Sequence, residues 1–288
     1  MSDAVVAQPA YHFDAGHYFP LADENQSAYV NAQPFPHAVF DNFLPLDVVN
    51  AVLEEFPGPD AIPWTKFEDG GRTLKLATEN QQLMGERTRH LFAELNGAVF
   101  VEFLERLTGI MGLVPDPFLH GGGLHQIEPG GFLDVHADFN LHPRFKLHRR
   151  LNVLIYLNHD WQDDWAGHLE FWQSDMSRRV QRIAPVFNRC VVFSTSRWAF
   201  HGHPQPLACP PGTTRRSIAL YYYSANAPLG EGDVQHSTLY QSPGQAPALP
   251  RLYVDTADAG RYARLRRWVP PAVADAARAA RERRQRSQ

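Results

Sequence analysis

His136-Ala137-Asp138 is the triplet in this chain with the clearest chemistry. Side chains two apart on a strand point to the same side. An imidazole and a carboxylate at i and i+2 therefore reach one metal ion from the end of a strand. One more histidine from elsewhere would place two nitrogens and one oxygen on a single face of an octahedron. That donor set suits divalent iron and leaves three positions open for other ligands. The chain has 14 histidines, so the third ligand has to come from context. His201 follows the apolar run Cys190-Val191-Val192-Phe193 and stands in Ala199-Phe200-His201-Gly202. His203, two residues on, competes with it.

A second group follows. Thr214-Arg215-Arg216-Ser217-Ile218-Ala219-Leu220-Tyr221-Tyr222 reads as a strand with cations at its start. A guanidinium fork suits a carboxylate, and burial makes that pairing selective. Neighbours on a strand face opposite sides, so either Arg215 or Arg216 points inward. Asn152 and Tyr156 share a face of an earlier strand, and a buried amide such as that of Asn152 needs partners, in a cofactor site or in the scaffold. Arg149 and Arg150 precede that strand, where one of them would reach an entrance. Tyr221, Tyr222 and Tyr223 suit strand packing. His142, His148 and His159 read as loop or surface residues. Trp161, Trp165, Trp172 and Trp198 read as core or rim packing.

These residues need a sheet to hold them. From Leu119 onward the pattern is period-two or short apolar runs. It predicts strands over 123–128, 131–136, 150–157, 168–172, 180–184, 189–194, 199–203 and 215–224, separated by Gly- and Pro-containing breaks. Ahead of them lie helical patterns. Pro45 opens one, marked by Leu46, Val49, Leu53 and Phe56 and stopped by Pro57-Gly58-Pro59. Another runs from about 81 to 108, with Gly97 as a possible interruption. Val39–Leu44 reads as a short strand, 60–82 as loop with a turn at Gly70-Gly71, and 1–34 as an irregular segment. The fold class expected is mainly β with a helical flank (α+β): an all-β sandwich or jelly roll with helices on one face. The expected domain spans 35–228 with its core at 119–226, followed by a C-terminal extension, 229–288, carrying a basic helix.

The 288 residues fit one large domain with extensions. The net charge of −4 argues against general nucleic-acid binding. From Arg261 onward, nine arginines face only Asp275 and Glu282, so the tail is basic. Cys190 and Cys209 suggest no disulfide framework or paired metal motif. No apolar run approaches the roughly 20 residues of a membrane span. With no leader pattern at Met1–Ala10, a cytoplasmic location is expected.

The stretch Gly122–Ser224 resembles the prolyl-4-hydroxylase-like branch of the 2-oxoglutarate/iron(II) oxygenase superfamily. The resemblance is carried by His136-Ala137-Asp138, Leu154-Ile155-Tyr156-Leu157-Asn158-His159-Asp160-Trp161, Gly167-His168-Leu169-Glu170-Phe171, Phe200-His201-Gly202 and Arg215-Arg216-Ser217. It covers about a third of the chain. It implies a double-stranded β-helix, with His136, Asp138 and His201 as iron ligands. The family places its distal ligand before Gly, which favours His201 over His203. It further implies Arg215 as the anchor of the far carboxylate of 2-oxoglutarate, with Ser217 and Tyr156 assisting and Asn152 nearby. Where the family often has two glycines this chain has Gly167-His168, which would put His168 at a pocket rim or on a loop.

The activity implied is dioxygen-dependent hydroxylation of an unactivated C–H bond, with release of succinate and CO2 and with ascorbate as a possible reductant. Asp138 fills the position that related halogenases leave for a halide, which favours hydroxylation over halogenation. The leading substrate expectation is an amino-acid-like or peptidyl side chain; a small-molecule biosynthetic intermediate is the alternative. Two other classes stand beside it. A cupin-type isomerase or hydrolase would keep the ligands without needing Arg215. A non-catalytic binding module would need neither.

Overall fold

The computed structural model describes residues 11–69, 72–228 and 235–241. The described residues all fall within one compact unit. The expected basic helix lies outside the described residues.

Four helices precede or flank the sheets: α1 (Ala15–Asn31), α2 (Leu46–Glu54), α3 (Glu86–Leu95) and α4 (Ala98–Thr108). The strands are β1 (His37–Phe40), β2 (Thr65–Asp69), β3 (Arg72–Thr78), β4 (Val114–Pro115), β5 (Gly123–Ile127), β6 (Leu133–Ala137), β7 (His148–Tyr156), β8 (Leu169–Trp172), β9 (Arg179–Ile183), β10 (Cys190–Ser194), β11 (His201–His203), β12 (Arg215–Ser224) and β13 (Leu239–Tyr240). All eight strands expected between 123 and 224 are present, with ends displaced by no more than two residues.

The larger sheet runs β1-β10-β7-β12-β5-β3-β2, with β4 beside β12, and the smaller runs β13-β6-β11-β8-β9. Their pairings are antiparallel. Period-two alternation gives the larger sheet two faces. Leu151, Val153, Ile155, Ile218, Leu220 and Tyr222 join a core with the helices. Tyr156 and Phe193 instead pack against Leu169 and Phe171 of the smaller sheet. On α4, Phe100, Phe103, Leu104 and Leu107 are fully buried at the spacing of one helix face. Removing a ring such as that of Phe103 would cost about 3–5 kcal/mol.

Two sequence expectations need correction. Residues 15–31 form a helix and not an irregular segment. It starts at Asp14, whose side chain accepts from the Gly16 N–H at 3.0 Å. Only Tyr18, Ala22 and Tyr29 of this helix are buried. Such sparse apolar anchors, with Pro20 among them, leave little periodic signal. Residues 65–69 and 72–78 form a hairpin and not a loop. Its Lys, Glu and Asp side chains hide the strand pattern, as charges do at sheet edges. The region 81–108 is a 3-10 turn and two helices, broken at Asn96-Gly97.

Candidate active site

Strand pairing brings the ligand-type residues together. His201 of β11 stands opposite His136 of β6, and Asp138 lies one residue past the end of β6. Gly202 permits the close approach of these strands. A Cβ there would come within 2.8 Å of the carbonyl oxygens of Leu133 and Asp134. His136 Nε2 lies 3.6 Å from Asp138 Oδ1, and His201 Nε2 lies 3.4 Å from Asp138 Oδ2. The imidazole centroids are 4.6 Å apart.

The outer edges of both rings are fixed. His136 Nδ1 is 2.8 Å from the Asp134 carbonyl, and His201 Nδ1 is 2.9 Å from that of Ala199. A carbonyl only accepts, so each Nδ1 carries the proton and each Nε2 lone pair is free to face Asp138. Burial lowers the His201 pKa to about 4, keeping the ring neutral at pH 7. Burial alone would raise the Asp138 pKa. The Arg149 guanidinium beside it overcomes this and holds it well below the usual carboxylate range. Two imidazole nitrogens and one carboxylate, on inward-facing atoms, fit divalent iron.

Asp138 is also held from behind. Its Oδ2 accepts from Asn152 Nδ2 at 2.8 Å and lies 3.1 Å from Arg149 Nη2. Arg149 Nε and Nη2 both donate to Asn152 Oδ1, at 2.9 and 2.8 Å. The guanidinium carbon lies 3.4 Å from the Tyr221 ring centroid and 4.6 Å from that of Phe139. Asn152 thus serves Asp138 through Nδ2 and Arg149 through Oδ1, and not Arg215. The part played by Arg149 was hidden in the sequence, because Asp138 and Asn152 lie on different elements and meet only through the fold.

The interior cation of β12 is Arg215. It is buried; its Nε donates to the Gly167 carbonyl at 2.6 Å and its Nη2 to the Tyr156 hydroxyl at 3.2 Å. Gly167 has φ +72°, and a Cβ there would lie 3.0 Å from Arg215 Cδ. Ser217 pairs with Tyr156 in register and is buried on the same face. Arg216 faces the other way, with Nε on Thr214 Oγ1 at 3.1 Å.

The remaining histidines separate. His203 is 4% exposed, and neither ring nitrogen has a partner; it is absent from the group formed by His136, Asp138 and His201. His142 and His148 are buried, contrary to the surface expectation; His142 Nε2 lies 3.2 Å from Asp116 Oδ2. His159 stacks on Phe187 at 3.6 Å. His168 lies 2.9 Å from Asp163 Oδ1. Trp161 is buried, whereas Trp198 is 47% exposed.

Comparison with known proteins agrees with this geometry. Residues 122–223 match the family model described as the 2OG-Fe(II) oxygenase superfamily. A prolyl 4-hydroxylase structure from Phytophthora capsici is similar at 18% identity, covering 79% of this chain and 72% of that one, with a TM-score of 0.51. The non-heme alpha ketoglutarate dependent epimerase SnoN from nogalamycin biosynthesis is similar at 12% identity, covering 82% and 96%, also with a TM-score of 0.51. No curated protein matches the chain. The chain carries a domain of the 2OG-Fe(II) oxygenase superfamily, prolyl-4-hydroxylase-like in fold. By that match, residues 122–223 form a 2-oxoglutarate-dependent non-haem iron oxygenase domain, of a family that uses iron(II) and 2-oxoglutarate. Among the described residues, no helix is long and apolar enough to cross a membrane.

Proposed function

We propose that the protein hydroxylates an unactivated C–H bond of an amino-acid-like or peptidyl side chain, with His136, Asp138 and His201 as iron ligands. The observation that carries this reading is the convergence of the three ligand atoms within 4.8 Å, with both Nδ1 atoms engaged elsewhere. The two facing sheets are read as a double-stranded β-helix, with the catalytic domain at 35–228. Arg215 receives the far carboxylate of 2-oxoglutarate, assisted by Tyr156 and Ser217. Its bonds to Gly167 and Tyr156 orient the fork in advance. Bound iron and 2-oxoglutarate together supply activation of dioxygen, with succinate and CO2 as co-products. Arg149 and Asn152 hold Asp138 in place and keep it charged.

The test is an anaerobic visible spectrum of the protein with iron(II) and 2-oxoglutarate. A weak charge-transfer band is expected. Arg215→Ala should weaken the apparent affinity for 2-oxoglutarate, and His201→Ala should abolish the band. Metal binding without any band would overturn the assignment.

A further inference from the structure

Lys75 is the cation that the reading above leaves without a task. On β3 it alternates with Leu76, which is 1% exposed in the core beneath the helices. Lys75 and Ala77 therefore belong to the opposite, inner face. The register agrees. Ala77 pairs with His125, His125 with Ser217, and Ser217 with Tyr156. One step along this ladder, Lys75 falls beside Ile127, whose other neighbour is Arg215. Strands about 4.8 Å apart put the Lys75 and Arg215 backbones roughly 10 Å from each other.

Among the described residues, the Lys75 ammonium has no ion pair or hydrogen bond. It lies over the ring of Phe67, its cross-strand neighbour, with Nζ 5.1 Å from the centroid. Burial pushes its pKa down to about 8; of the charges acting on it, Asp138 weighs most, then Arg149, then Arg215. Asp138, Arg149 and Arg215 are thus all close enough to act on the ammonium. Arg215 leans toward Tyr156 and Gly167. His203, buried with both ring nitrogens unpartnered, also feels Arg215, His136 and Lys75.

Charge balance then points to a missing anion. Lys75, Arg149 and Arg215 are three cations; the Asp138 carboxylate acts on the first two, and the Tyr156 hydroxyl is the partner of the third. Iron(II) and the 2-oxoglutarate dianion cancel each other, so the loaded site keeps a cationic surplus. A partly buried ammonium in that surplus is costly unless an anion meets it. We propose that Lys75 holds a carboxylate of the primary substrate, so that the substrate is a small carboxylic acid such as a free amino acid and not an internal peptide residue. The inference rests on the oxygenase reading of the site.

The test uses the anaerobic iron(II)·2-oxoglutarate protein and its charge-transfer band. The probes are the twenty free L-amino acids, the C-terminal amide of each, and N-acetylated, C-amidated tripeptides centred on each residue. At least one free acid should perturb the band, and its amide should bind at least tenfold more weakly. Lys75→Met should erase that difference while leaving half-saturation by 2-oxoglutarate within twofold, which also reports an intact fold. Lys75→Arg should restore part of it. The proposal is overturned if no free acid perturbs the band, if amides or blocked tripeptides bind as well as acids, or if Lys75→Met weakens 2-oxoglutarate instead. Failure of the band to form with 2-oxoglutarate alone would mark failure of the underlying reading.

Discussion

Two clusters among the described residues each combine two imidazoles with one carboxylate. His136, Asp138 and His201 form one, and His12, His90 and Glu94 form the other; in each, the ligand-type atoms lie within 4.8 Å of one another. They differ in how the carboxylate is engaged. Glu94 Oε2 accepts the backbone N–H groups of His12 and Phe13, at 2.7 and 3.2 Å, while Oε1 lies 2.6 Å from His90 Nε2. That carboxylate is occupied in fastening residues 12 and 13 to α3. In the first cluster each imidazole uses Nδ1 on a carbonyl and turns an unbonded Nε2 inward, and the carboxylate is supported from behind by Asn152 and Arg149. Donor type and proximity are common to both. What favours the first as the proposed metal site is that both Nδ1 atoms are engaged elsewhere and the carboxylate is braced from behind, leaving the inward-facing atoms to the centre.

The largest effect should come from removing a ligand. His136→Ala or His201→Ala should eliminate the iron(II)–2-oxoglutarate band and lower 2-oxoglutarate turnover at least a thousandfold, with far-UV circular dichroism unchanged. Glu94→Ala should leave the band intact and lower the unfolding midpoint. A band that survives His201→Ala, or that disappears in Glu94→Ala with the fold intact, would reverse the roles assigned to the two clusters.

The next effect is electrostatic and concerns the metal-free protein. Burial lowers the His201 pKa from 6.5 to about 4. The unfolded chain therefore binds more protons than the folded one between these values. Stability is full above pH 6.5 and is lost as pH falls toward 4. From pH 7 to 4.5 this one group should cost about 2.5 kcal/mol, by the free energy of a shifted pKa. Denaturant titrations of the metal-free protein at the two pH values should show a larger drop for the wild type than for His201→Gln. Equal drops would remove the case for a buried neutral ring.

How much of this was legible in the sequence follows the range of each signal. His136 and Asp138 could be read because period-two spacing puts both on one side of a strand. The eight strands of the 123–224 region could be read because their alternation is strong and their breaks contain Gly, Pro or Asp. Strand periodicity alone left Arg215 and Arg216 open; the family resemblance favoured Arg215, and the fold turns that one inward. Asn152 showed itself only as a polar residue in a core strand. Its partner is 14 positions away across the site, so the bond to Asp138 left no local pattern. The hairpin over 65–78 looked like a loop because its charged side chains are those of a sheet edge, and Lys75 was lost with it. The helix over 15–31 was hidden by its few apolar anchors.

The support behind Asp138 gives a third, intermediate expectation. Arg149→Met removes the guanidinium that bonds Asn152 and lies 3.1 Å from Asp138 Oδ2. Residues that orient a metal ligand typically change metal affinity ten- to a hundredfold. Iron(II) titration should show a loss in that range, with the band restored at higher iron concentration. An unchanged affinity would mean that Asn152 alone is enough to fix the carboxylate, and the contrast with Glu94 would then rest on the imidazoles.

The smallest effect belongs to His90. Its side chain is 38% exposed and its bond to Glu94 joins positions four apart on α3. Solvent screens such a pair, so His90→Ala should change stability by no more than about 0.5 kcal/mol. The backbone donors of His12 and Phe13 still satisfy Glu94 Oε2 in that variant, so the N-terminal segment should stay attached to the helix. The comparison of the clusters makes a sharper demand here than the stability figure does. His90→Ala should leave the stoichiometry of tightly bound iron(II) or zinc unchanged, as read by equilibrium dialysis at matched protein concentration. Loss of one metal equivalent in His90→Ala, with the charge-transfer band retained, would show that the Glu94 cluster also takes an ion, and that occupied ring and carboxylate atoms can exchange their bonds for a metal.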